Sequence, residues 1–166
     1  MMSAHLQKAI DNLHIVDVYL RYQFCECSEG FDPKYAQNLE QLTVQQLHQV
    51  RHSEVVAVDH LGQILRVFIR LGARWIRPEV KDEELSVMAL IEAEFIAEYK
   101  MSELIDQCSI DEFCLKNVSY HVWPYWRELL SNQCSRMHLP RLMLPAIQLA
   151  HNRHASLPIA NDSEAG

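Results

Sequence analysis

Nine histidines and five cysteines are the residues of this chain with the widest chemical reach. Cys25-Glu26-Cys27 sets two thiols on the same face of a strand. Structural zinc needs a second matching pair, and Cys108, Cys114 and Cys134 stand at no such spacing. His151-Asn152-Arg153-His154 would place two imidazoles on one helical face, which is half of a metal site. Glu92 and Glu94 share a strand face, as paired catalytic carboxylates would, but a solvated row facing arginines accounts for them more simply. Gly30, Gly62, Gly72 and Gly166 lie too far apart for a phosphate-cradling loop. No nucleophile elbow or Cys-His signature is present. The expectation is therefore no enzyme, no metal and no cofactor, with the histidines solvated and the thiols small and buried.

Composition narrows the partners. The 166 residues suit one domain over 1–166, with residues 1–14 as an N-terminal arm and 155–166 as a flexible acidic tail. A formal net charge of −7 argues against nucleic acid, which needs a Lys/Arg surplus. No apolar run approaches the roughly 20 residues of a membrane span. Met1-Met2-Ser3-Ala4-His5-Leu6-Gln7-Lys8 lacks the basic-then-apolar order of a secretory leader, and five scattered cysteines suit reduced thiols; the expected compartment is the cytoplasm.

The elements that position these residues follow from periodicity. Leu65, Val67, Ile69, Leu71, Ala73 and Trp75 alternate with Arg66, Phe68, Arg70 and Arg74. Leu85, Val87, Ala89, Ile91, Ala93, Phe95, Ala97 and Tyr99 alternate with a row holding Met88, Leu90, Glu92, Glu94, Ile96 and Glu98. Period-2 alternation of this length predicts two strands, 64–77 and 85–99, folded antiparallel about the polar stretch Arg77–Glu84. The Arg row and the Glu row then share a face. Val16, Val18, Leu20, Tyr22 and Phe24 read as one buried parity of a first strand, and Glu54–Val58 as a further strand closed by a turn at Asp59–Gly62. Residues 28–47 fit either a helix through Leu39, Leu42, Gln46 and Val50 or a long crossover about Pro33, and a loop with one or two helical turns is expected.

After Lys100 the period lengthens. Ser109-Ile110-Asp111-Glu112 opens a helix, and Val118, Val122, Trp126, Leu129, Leu130 and Met137 mark an amphipathic helix of about five turns. Pro124 predicts a kink or a start near Trp123, and His138-Leu139-Pro140 an end. The fold class is α+β, a four-stranded antiparallel sheet followed by a long helix. One helix covers only part of one face, and Phe68, Ile76, Met88, Leu90 and Ile96 remain on the other. A homo-oligomer, dimer or tetramer, is expected, with Trp126, Leu129 and Leu130 at the subunit interface.

The segment Trp123-Pro124-Tyr125-Trp126-Arg127-Glu128, then Ser135-Arg136, then Leu139-Pro140-Arg141-Leu142-Met143-Leu144, resembles the SecB export-chaperone family. Leu90-Ile91-Glu92 is similar to the Leu-Cys-Glu on that family's last strand. The resemblance implies an ATP-independent holdase that binds unfolded or precursor polypeptides, assembles as a dimer of dimers and hands clients to the motor SecA, with Leu90 and Glu92 as the SecA-type contact. Client-binding candidates are Leu47, Val50, Leu142, Leu144, Ile147 and Leu149. The sequence departs from the family in three places. No acid lies between Tyr19 and Phe24, Met137 stands where a glycine is usual, and Ile147–His154 makes a short last helix at most. Two other functions stay open: a dedicated chaperone for one partner, as in toxin–antitoxin systems, and a small-ligand-binding domain using a pocket between sheet and helix.

Overall fold

Alternating runs become four long strands. The computed structural model describes residues 1–146 and 159–160. A first helix, α1 (Ala4–Asn12), leads into β1 (Leu13–Cys27), β2 (Thr43–Val58) and β3 (Gly62–Ile76). A single turn, α2 (Glu83–Ser86), precedes β4 (Val87–Met101), followed by α3 (Gln107–Lys116), α4 (Val118–Arg136) and a two-residue β5 (Ile159–Ala160). The strands form one antiparallel sheet in the order β1-β4-β3-β2-β5.

One sheet face is the core. Leu65, Val67, Ile69, Leu71 and Trp75 of β3, with Ile91, Ala93, Phe95 and Tyr99 of β4, are buried on it, against Phe113 of α3 and Val122, Trp123, Trp126 and Leu130 of α4. Asp106 starts α3 by accepting from the Ser109 amide, and Lys8 of α1 reaches the same carboxylate at 3.0 Å. Together with the Ser3–Glu112 hydrogen bond this ties the N-terminal helix onto α3, so the expected arm is a packed element.

The other face is built in rows. Reading across β2, β3, β4 and β1, the rows are Gln45-Arg74-Leu90-Glu26, Leu47-Gly72-Glu92-Phe24, Gln49-Arg70-Glu94-Tyr22, His52-Phe68-Ile96-Tyr19 and Glu54-Arg66-Glu98-Asp17. The Arg and Glu rows do share this face, as the alternation required. The apolar surplus expected there is covered within the chain. Phe68 stacks on His52 at 4.0 Å between centroids, with the guanidinium of Arg66 at 5.3 Å and that of Arg21 at 5.8 Å. Phe68, Ile76, Met88 and Ile96 are all buried, and Leu90 is half-buried.

Several expectations shift. Bulges at Val16 and Arg21 each reverse the parity of β1, so Val18 and Leu20 lie on the helix side while Tyr22 and Phe24 lie on the other. β2 begins at Thr43, so only Leu39–Gln41 of the expected loop is helical, as a 3-10 turn. Leu85 falls in α2, outside the strand, and is exposed. α4 starts at Val118, with Pro124 inside it. Ile159 and Ala160, placed by sequence in a flexible tail, pair as β5 with β2.

Candidate functional site

The two flanks of α4 differ. On the β1 side, Tyr125 is half exposed and tilts onto Phe95 at 6.5 Å, and Phe95 lies opposite Leu20 in the sheet. Ile15, Val16 and Leu20 are exposed along the same strand, whose outer edge carries no partner strand among the described residues. On the β2 side, the chain leaving α4 folds back along it. The Trp123 indole donates to the Pro145 carbonyl at 2.7 Å, and its ring stacks on His48 of β2 at 5.2 Å. His48 is buried and hydrogen-bonded to Ser119 at 3.1 Å.

That return leaves a groove of about 330 Å³ between α4 and the exit segment, lined by Pro124, Arg127, Glu128 and Ser131 on one wall and Arg141–Leu144 on the other. Leu142 and Leu144 are half-buried and pack on the core, while Met143 between them is 77% exposed. The lining mixes apolar carbon with one acid and two bases. It suits an extended chain held by many weak contacts better than a small polar ligand held by convergent hydrogen bonds.

The structure divides the candidate residues. Val50 lies on the helix side of β2, opposite Ile69, and Leu47 on the far face, opposite Gly72. They therefore belong to different surfaces. Ile147 and Leu149 lie outside the described residues. Leu90 and Glu92 face away from the helices, and Glu92 is held by Arg70 at 3.0 Å. Trp126, Leu129 and Leu130 are buried against the chain's own sheet, so they have no free surface for a partner copy. The period-3.6 stripe on α4 marks intrachain packing. The exposure of Tyr125 and the edge of β2 are not marked by the periodicity; Tyr125, like Tyr120, is an exposed aromatic outside the α4 stripe, which is the one signal the sequence carries for it.

No group of three or more His, Cys, Asp or Glu side chains is arranged to hold a metal among the described residues. None of their helices is long and apolar enough to cross a membrane.

A four-stranded antiparallel sheet backed by one long helix on a single face is the SecB-like α+β fold. The chain is similar in structure to a SecB-like chaperone of Mycobacterium tuberculosis in complex with a ChAD peptide from the HigA1 antitoxin. The TM-score is 0.64 and the identity 18%, over 86% of this chain and 96% of that one. No protein-family model and no curated protein matches the sequence.

Proposed function

We propose that this protein is an ATP-independent chaperone that holds unfolded polypeptide along the groove between α4 and the exit segment. The observation that carries the reading is the exit segment itself, where half-buried Leu142 and Leu144 flank an exposed Met143 and form the apolar wall of the groove beside α4. Non-directional apolar contacts of this kind accept many sequences. The SecB-like fold supports it, and so does the polypeptide bound to the Mycobacterium tuberculosis neighbour.

That bound antitoxin peptide also favours a second reading, a chaperone dedicated to one polypeptide partner. The two separate in one assay. A chemically denatured model protein is diluted into buffer without nucleotide, with and without this protein in excess, and light scattering is followed. Suppression across several unrelated clients supports a general holdase. Suppression of none, by a folded sample, refutes the general holdase and leaves the dedicated one. Met143→Glu should fold like the parent and hold clients about 10-fold more weakly, since burying one such side chain is worth roughly 1.5–3 kcal/mol.

We further propose that the protein forms a homo-oligomer, with a second copy adding to β1. This 15-residue strand has an open outer edge among the described residues and carries exposed Ile15, Val16, Leu20, Tyr22 and Phe24. Transfer to SecA would use the Leu90–Glu92 face, where the ion pair with Arg70 has first to open.

A further inference from the structure

The strand β5 occupies the position that an added strand from another chain would take. Ala160 stands opposite Gln45 and Ile159 opposite Gln46, antiparallel, on the edge of β2 that β3 leaves open. β2 is 16 residues long, and among the described residues its outer edge is paired only at these two positions. An open edge presents alternating N–H and C=O groups that bond any extended backbone. The exit segment passes close to the same strand. Trp123 fixes Pro145 through its indole and touches His48 of β2 with its ring, so the exit segment at Pro145 lies one aromatic ring away from β2. The chain pairs with β2 two residues from His48, at Gln46. The groove proposed to hold clients opens on the same flank of α4.

We infer that the outer edge of β2 around Gln45 and Gln46 is a docking site for an extended polypeptide, and that Ile159–Ala160 is a tethered occupant which an incoming polypeptide displaces. The inference rests on the polypeptide-binding reading above and adds a location and a built-in competitor. A segment tethered through about a dozen residues presents itself at millimolar effective concentration. Two paired residues make a weak contact, so the tail is displaced easily by a client that also fills the groove. A short client that reaches only the edge is excluded. The device filters for chains long enough to engage both surfaces.

The test uses the full-length chain carrying Ile159→Pro and Ala160→Pro, which removes two backbone N–H groups and prevents strand pairing. Amide hydrogen exchange across residues 43–47 reports whether the tail is seated. Fluorescence anisotropy with labelled, reduced and carboxymethylated α-lactalbumin, a permanently unfolded polypeptide, reports client binding. The expected result is exchange about 10-fold faster at the outer-edge amides, with probe affinity about 3-fold tighter or more. A synthetic peptide of residues 155–166 should restore both toward the parent, and a scrambled one should not. Unchanged exchange overturns the seated tail. Faster exchange with unchanged affinity makes the tail an edge guard and overturns the competition, leaving the polypeptide-binding reading intact. No probe binding by either protein sinks that reading and this inference together.

Discussion

At the scale of single residues, burial sets the chemistry. Tyr99 and His121 are hydrogen-bonded at 2.8 Å between β4 and α4. Burial holds the His121 imidazole below its ordinary value of 6.5 and pushes the Tyr99 hydroxyl well above its ordinary 10. The unfolded chain therefore binds the His121 proton at higher pH than the folded chain does. Stability from this group is intact above about pH 6.5 and is lost as pH falls below it. The urea midpoint should drop between pH 7.5 and pH 5, and His121→Gln should flatten that drop; an equal slope in the variant would assign it to other groups. The thiols sort the same way. Burial pushes Cys114 up to about 12 and Cys134 up to about 11, while Cys108 is exposed. In native protein at pH 8, alkylation read by mass spectrometry should reach Cys108 first. Cys114 and Cys134 should be modified only as fast as the chain unfolds. Modification of Cys114 at the rate of Cys108 would show the α3 core open.

At the scale of elements, the exit of α4 shows how a missing glycine is accommodated. His138 sits at φ 55 directly after the cap residue Met137. The Leu139 amide bonds the Cys134 carbonyl at 3.0 Å and the His138 amide reaches Ser135 at 3.5 Å, closing the helix in a Schellman motif with Leu139 buried. A left-handed backbone costs a side-chain-bearing residue about 1–2 kcal/mol, part of which glycine recovers, less its own extra freedom when unfolded. His138→Gly should therefore stabilise the protein by about 0.5–1 kcal/mol in urea unfolding; a loss would mean the imidazole itself packs usefully. The two bulges of β1 act at the same scale. Each inserts one residue, and between them they put Val18 and Leu20 on the helix side while leaving Tyr22 and Phe24 with the charged rows.

At the scale of the whole molecule, the sheet has a packed helix side, a far side covered by ion pairs, and two long edges. Arg66 bonds Glu54 at 2.8 Å and Glu98 at 3.2 Å, and Arg21 bonds Glu94 at 2.6 Å. The edges are where a partner chain could add strand to strand. Leu20→Lys with Phe24→Lys should lower the mass seen by light scattering to that of the monomer while changing the melting temperature little, if a second copy adds to β1. Retention of the parent mass would move the interface elsewhere. Trp126→Ala should behave oppositely. It empties a fully buried site, and a loss of about 3–5 kcal/mol is expected in unfolding. Dissociation of an otherwise stable fold would instead place Trp126 at an interface.

The sequence by itself determined the β3–β4 hairpin, the sharing of one face by the Arg and Glu rows, and the long helix, because those segments keep one periodicity over their whole length. It hid β2, whose core-facing positions include Gln46 and His48; these are buried in the fold, where His48 is hydrogen-bonded to Ser119. Polar residues on a buried face cancel the alternation that announces a strand. It also left open what the α4 stripe packs against. An amphipathic stripe such as Trp126, Leu129 and Leu130 says that a helix face is buried but not against what, and only the packed sheet shows that the partner lies in the same chain. The candidate groove and the occupied edge of β2 are decided by tertiary structure alone. They arise where the exit segment returns along α4 and where residues more than a hundred positions apart pair, a juxtaposition no local pattern encodes.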